Sequence, residues 1–434
     1  MPQEGEAATG PGRLEAVRIG LCLGLMLVVL AFYGWTVQVR TEQAYSTDFV
    51  QFHFSSRFFL EGRDIYTPVP WAELGPLPDG FDLARKHKHP NLNPPFQTLL
   101  FLPFAWLSFE AAYRLWSLAS LAFLGLGAVI VARLGTGRPT LRASFLGLLL
   151  LAYFPSWIGI VLGQLGHFLF LLACIAWASA RTGRDRLAGL ALGLSLAVKP
   201  FTGLFLILFL LQRRWRLLTW YLASFSGATI VAVVVFGPRA HLRYLEILQD
   251  VTWTAASWNA SILGFATRVF GGSGNAALVE APYVAGLIHL LAAVLGLAAL
   301  YAITRTHRVT DARRRLDLGF ALALPLMLLL SPLGWIYYFP YLLIPLVVVF
   351  EASNDRAARG RYRGGAVLAW LLGTVPHALV RSEKVADPAL IFTYPAFYCL
   401  SLVLFAALLL SLGRPVSRRR DGCAAAGSSR RRAR

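Results

Sequence analysis

Two ionisable residues stand at places where an apolar chain keeps few charges. Asp48 follows the first long apolar run and opens the stretch Asp48-Phe49-Val50-Gln51-Phe52-His53-Phe54-Ser55-Ser56-Arg57. A carboxylate there can cap a helix start, where the dipole stabilises it, or can serve as a general base for a hydroxyl within hydrogen-bond reach. Lys199 lies at the centre of the apolar stretch 187–212, directly before Pro200. A charge at membrane depth costs a few kcal/mol on insertion scales and is a functional candidate by default; the plainer reading is a lysine snorkelling to the interface. An ammonium at that depth is a suitable partner for a lipid phosphate. Asp64 is a second carboxylate in the same outer region, in a turn-like Asp64-Ile65-Tyr66.

The elements that hold these residues follow from composition. The chain has 434 residues, 57% apolar and only 15% charged, with mean hydropathy +0.59. Soluble domains run nearer 25% charged, so there are too few polar residues to cover a wet surface of this size. Soluble enzymes, secreted disulfide scaffolds and disordered proteins are excluded. Apolar runs long enough for lipid cover 18–37, 112–132, 143–161, 166–180, 217–236, 283–304, 317–333, 336–350, 364–380 and 395–413. The stretch 96–109 is too short to span, and 187–212 is interrupted by Lys199-Pro200. Proline removes a backbone donor and disfavours helix at the residue before it, so 187–212 is expected to fold as a hairpin of two short helices.

Basic loops stay cytoplasmic. With the N-terminus inside, alternation through these elements puts the whole net charge of +19 on the inner face. The charge is therefore a topology signal, and a nucleic-acid partner is not expected. The expectation is an all-α polytopic membrane protein of about twelve membrane elements, with both termini cytoplasmic. Residues 1–413 form one transmembrane domain with large outer loops at 39–95 and 237–282, and 414–434 form a basic, disordered tail. Phe52, Ser55, Ser56 and Phe59 recur at helical spacing, which predicts a short amphipathic helix on the outer face of the membrane. No repeat of 20–50 residues is present, which weakens a transporter reading. Cysteines 22, 174, 399 and 423 form no metal or disulfide pattern, and no cluster has metal-ligand spacing. No metal or other cofactor is expected.

The motifs also carry a resemblance. Asp48, Phe49, Phe52, Ser55, Leu60, Gly62, Tyr66 and Pro68 occur in order after the first span, followed by Asn93-Pro94-Pro95-Phe96 and Leu102-Pro103-Phe104-Ala105. Gly163-Gln164, Leu196-Ala197-Val198-Lys199-Pro200 and Ser331-Pro332-Leu333-Gly334-Trp335 come next. This order resembles glycosyltransferase family 87, polyprenyl-phosphate-sugar-dependent enzymes of the GT-C fold, over about residues 15–410. The resemblance implies an inverting transferase, with mannose the first choice of sugar and arabinose the next. The implied partners are a lipid-linked sugar donor, a glycolipid or cell-envelope glycan acceptor and the lipids of the plasma membrane, with the active site on the extracytoplasmic face. It maps the proposed catalytic aspartate onto Asp48.

Such a reaction needs one carboxylate to take the acceptor proton, and groups that stabilise charge on the departing phosphate. Lys199 and Arg57 are the cations expected near that phosphate, although Arg57 falls half a turn out of phase with Asp48. His53 can tune Asp48. Gln164, Asn93 and Trp335 are expected to contact sugar. Tyr337 and Tyr338 stand where the resemblance implies a polar, His-containing pair, and their hydroxyls can hydrogen-bond phosphate or sugar. The rival reading is a flippase of lipid-linked sugars, which would use the cations and need no base.

Overall fold

In lipid, every backbone N–H and C=O must find its partner within the segment, so an apolar chain of this kind has to be helical. The computed structural model describes residues 11–74, 77, 87–135, 138–251, 253–271, 277–305, 311–353, 356–376 and 394–413. The basic segment 414–434 and the end of the expected span 364–380 lie outside the described residues.

Helix α1 (Pro11–Thr41) leads to α2 (Phe49–Leu60), a ribbon of β1 (Val69–Pro70) and β2 (His87–Lys88), and α3 (Pro95–Phe101). Next come α4 (Phe109–Leu134), α5 (Pro139–Leu151), α6 (Phe154–Val161), α7 (Gly166–Arg181), α8 (Asp185–Val198) and the short α9 (Leu204–Leu211). The chain continues through α10 (Trp215–Phe236), α11 (Pro238–Gln249), α12 (Ile262–Phe270), α13 (Pro282–Arg305) and α14 (Ala312–Leu330). It closes with α15 (Leu343–Ala352), α16 (Arg356–Gly373) and α17 (Tyr394–Gly413).

Among the described residues, α1, α4, α10, α13 and α17 are long and apolar enough to cross a membrane. The expected span 143–161 is instead two helices, α5 and α6, meeting at 63°. Pro155 near the start of α6 accounts for the break, and Tyr33 Oη donates to the Leu151 carbonyl (2.9 Å) at the end of α5. The expected span 336–350 also differs: it begins as a 3₁₀ segment, Ile336–Leu342, with Pro340 inside it, and continues as α15. The short stretch at 96–109 is α3 followed by a 3₁₀ turn, Leu102–Phe104.

The segment 187–212 folds back as its sequence implies. Helix α8 ends at Val198, Lys199 is extended, and a tight turn at Pro200–Gly203 leads into α9. Gly189 abuts Leu217 and Tyr221, and Gly193 abuts Tyr221 and Phe225, so closely that a Cβ would come within 2.5 and 2.3 Å of a carbonyl oxygen of α10. Contacts that advance together along both helices make α8 and α10 parallel neighbours. Arg214 and Asp185 tie their starts together. The short α9 therefore returns the chain between two parallel helices.

Helix α14 and the segment from Ile336 to Val349 are buried on nearly every side and form the centre of the core. In contrast, α1, α10 and α13 expose rows of leucine and valine such as Leu27, Val28, Val234 and Leu290, surfaces suited to lipid. The expectation for α2 is corrected. It is buried around most of its circumference, because Ser55 and Ser56 find buried partners: Ser55 Oγ donates to the Ile65 carbonyl (2.7 Å) and Ser56 Oγ to that of Phe52 (3.0 Å). Polar residues that bond inward do not make a solvent face.

Candidate active site

Asp48 occupies the N-cap position of α2, yet its side chain makes no capping bond. Its carboxylate faces away from the helix instead. The backbone N–H groups of Asp48 and Phe49 both donate to the Leu162 carbonyl, at 2.9 and 3.0 Å. Two residues on, Gln164 Nε2 donates to Asp48 Oδ2 at 2.7 Å. The start of α2 is thus fastened to the loop between α6 and α7. Gly163 makes this approach feasible: its φ is +69°, and a Cβ there would come within 2.5 Å of the Phe49 side chain. On the same loop, a Cβ at Gly166 would lie 2.2 Å from the Tyr337 carbonyl oxygen, so the 3₁₀ segment packs directly against it.

These contacts frame a cavity of about 1160 Å³. Asp48, Gln51, Gln164 and Asn93 line its polar part, and Lys199 enters from the turn between α8 and α9. One wall is aromatic, with Trp335, Tyr337 and Tyr338. Trp335 and Tyr337 stack at 6.2 Å, and Tyr337 meets Tyr338 edge-on at 4.8 Å. An apolar arm runs along Phe201, Leu204, Met327, Leu330 and Leu333, and Tyr244, Leu248 and Val251 contribute a second apolar surface from α11 and its end.

Several polar atoms here await a partner. Lys199 Nζ makes no hydrogen bond or ion pair among the described residues. Asn93 is buried and donates through Nδ2 to Asn91 Oδ1 (2.7 Å), while its own Oδ1 accepts nothing. The Tyr338 side chain is likewise buried, beside that of Tyr337. Buried polar atoms are nearly always bonded in folded proteins, so orphans facing a cavity are suited to a bound polar molecule.

Two expected members stand elsewhere. Arg57 is half exposed, pairs with Glu61 at 3.7 Å, and its guanidinium lies 5.6 Å from the Phe54 ring; it does not line the cavity. The half-turn offset from Asp48 is the reason. His53 is fully buried among Phe49, Phe54 and Phe109, with Nε2 at 3.2 Å from the Leu107 carbonyl, and does not reach the cavity. Burial pushes its pKa down to about 4, so it is neutral at ordinary pH. Asp64 accepts from the Tyr66 N–H (2.9 Å) in a turn, away from Asp48.

One residue lacked a sequence signal. Lys88 lies in a run of basic residues before Pro90, within the outer loop 39–95. The antiparallel pairing of Val69 with Lys88 folds it inward. Its Nζ donates to the Tyr45 carbonyl (2.8 Å) and the Thr47 carbonyl (2.5 Å) and lies 4.0 Å from Asp48 Oδ1. Burial lowers its pKa, and the carboxylate of Asp48 opposes that shift.

Asn259 knits the aromatic wall to the outer loop. Fully buried, it donates to the Thr254 and Pro332 carbonyls (both 2.8 Å) and accepts from the Gly334 N–H (2.8 Å). Ala260 N–H donates to the Gly334 carbonyl (2.8 Å) and Ile336 N–H to that of Trp258 (3.2 Å). The Asn259-Ala260-Ser261 stretch is thereby a structural clamp.

The chain is 27% identical over 351 residues, 76% of each chain, to a polyprenol-phosphate-mannose-dependent alpha-(1-2)-phosphatidylinositol mannoside mannosyltransferase of Mycobacterium tuberculosis. It is 27% identical over 367 residues to the corresponding pentamannoside mannosyltransferase of Mycolicibacterium smegmatis, covering 82% of this chain and 81% of the relative. An alpha-(1->3)-arabinofuranosyltransferase of Mycobacterium tuberculosis is 26% identical over 361 residues, covering 79% and 76%. No solved structure matches. The profile of glycosyltransferase family 87 matches residues 91–332, more than half of the chain, a stretch that carries Asn93, Gln164 and Lys199 from the cavity wall. This multi-pass membrane protein is a glycosyltransferase and belongs to glycosyltransferase family 87.

Proposed function

We propose that the protein transfers a mannosyl unit, with inversion, from a polyprenyl phosphate to a glycolipid acceptor on the extracytoplasmic face of the plasma membrane. The observation that carries the reading is the carboxylate of Asp48, oriented by Gln164 and open to a cavity that also holds an unpaired ammonium, Lys199. Asp48 takes the proton of the acceptor hydroxyl as its oxygen bonds the anomeric carbon. The bond from that carbon to the phosphate oxygen breaks, and its electron pair leaves with the polyprenyl phosphate. That leaving group is a stable anion and needs no proton from an acid. Lys199 offsets the charge that accumulates on it. Asn93 Oδ1, Tyr338 and Trp335 face the sugar, and the apolar arm past Leu204 and Leu330 takes the first isoprene units. About twelve membrane elements with cytoplasmic termini put the cavity on the outer side, consistent with the segregation of basic residues. No residue is assigned to a metal or organic cofactor.

The acceptor class rests on the relatives, whose names specify phosphatidylinositol mannosides. A second reading, a polyprenyl-phosphate-arabinose donor, is favoured by the similarity to an arabinofuranosyltransferase. Purified protein in vesicles, offered radiolabelled polyprenyl-phosphate mannose and polyprenyl-phosphate arabinose separately with phosphatidylinositol mannoside, tests both. Label moving from mannose donor to acceptor supports the first reading. Movement only from the arabinose donor supports the second. Translocation of the donor across the vesicle without any transfer would favour a flippase.

A further inference from the structure

Lys88 takes no part in the transfer as written, yet among the described residues it is the one cation within 4.0 Å of the base. It is buried, and its two carbonyl partners belong to Tyr45 and Thr47, the turn that delivers Asp48 to the cavity. Its Nζ is 4.0 Å from Asp48 Oδ1, while Gln164 holds the other oxygen, Oδ2. The two oxygens of the carboxylate thus have different partners from different parts of the chain. A base working beside an anionic phosphate has a particular difficulty: the phosphate's charge favours its protonated, inactive form. A fixed cation on the protein side counteracts that.

We propose that Lys88 is a positioning residue for the transfer: it holds the turn at 45–47 that aims Asp48, and it sets a positive charge 4.0 Å from the carboxylate against the anionic donor. Lys199 is then free to meet the phosphate itself. This inference rests on the reading of Asp48 as the general base. Among the described residues, the charged and titratable groups that act on Asp48 are Lys88 from the ribbon, Lys199 from the turn between α8 and α9, and Tyr337 and Tyr338 from the 3₁₀ segment. Arg40, at the end of α1, is engaged with Gln43 and Ser46. His89 follows Lys88 and packs on Trp253 at 4.3 Å.

The test uses the full chain in vesicles with polyprenyl-phosphate mannose, and compares Lys88→Gln, Lys88→Arg and Asp48→Asn. Lys88→Gln keeps an amide donor for the turn and removes the charge. The expected result is a fall in kcat of about tenfold or more with donor KM within about threefold. The acid limb of the pH–rate profile should also move up, by somewhat less than about one pH unit for a pairing that solvent partly screens. Lys88→Arg should return the limb toward its original position. A purely structural lysine would lower activity without moving the limb. Inactive Asp48→Asn with an unshifted limb in Lys88→Gln overturns the role of Lys88 alone, whereas fully active Asp48→Asn overturns the base and with it this role. If Lys88→Gln does not fold, Lys88→Met, which also removes the charge, decides: a limb moved upward supports the role, and an unmoved limb overturns it.

Discussion

Replacing Asp48 by asparagine removes a negative charge and changes little else. The side chains have nearly the same shape, and Gln164 Nε2, now 2.7 Å from Oδ2, can donate equally to an amide oxygen. The backbone bonds to Leu162 are untouched, and no capping bond is lost because none exists. The carboxylate is about a third exposed, so solvent screens its pairing with Lys88, and the loss in stability should be about 1 kcal/mol. The catalytic loss is far larger. A positioned general base contributes roughly 10²–10⁴ in rate, or about 3–5 kcal/mol of barrier. Transfer from radiolabelled polyprenyl-phosphate mannose, followed under single-turnover conditions with binding measured separately, should show a chemical step slowed at least a hundredfold at unchanged donor affinity. Asp48→Asn transferring within about threefold of the native rate would refute the assignment, since no other carboxylate among the described residues lines the cavity.

Three more predictions follow from the same geometry. Lys199→Met should raise donor KM by about tenfold or more, through loss of a charge-assisted contact to phosphate, and donor-binding isotherms check it. Gly163→Ala forces a side chain into a left-handed backbone and against Phe49, so it should cost about 1–3 kcal/mol, lower the thermal unfolding temperature and reduce transfer by displacing Asp48. His53 makes stability depend on pH. Its folded-state pKa of about 4 lies below the ordinary 6.5, so the unfolded chain binds a proton that the folded chain refuses, and stability falls as pH drops from about 6.5 toward 4. The loss approaches about 3 kcal/mol. His53→Asn should therefore lose less unfolding temperature than the native protein between pH 7.5 and 4.5, and equal losses would contradict the burial argument.

Much of the architecture was legible in the residues alone. The shortage of charge demanded lipid, and Lys199-Pro200 marked the turn between α8 and α9. These are properties of a segment against its solvent, and hydropathy, helix-breaking and charge act on the segment where they are written. Which side chains meet at the cavity was decided otherwise. Asp48 and Gln164 are 116 positions apart, and their bond depends on Gly163 admitting Phe49. Lys88 carried no signal of its own and joins the site only because the ribbon turns it inward, and His53 read as a neighbour of Asp48 until packing placed it against Leu107. The bend between α5 and α6 and the 3₁₀ start of the segment at 336 had prolines as warnings, but the direction each takes depends on what packs beside it. A sequence carries the preference of each element for lipid, water or helix. The facing residues of a site are set by the register of distant elements, and that register exists only once close packing has chosen it.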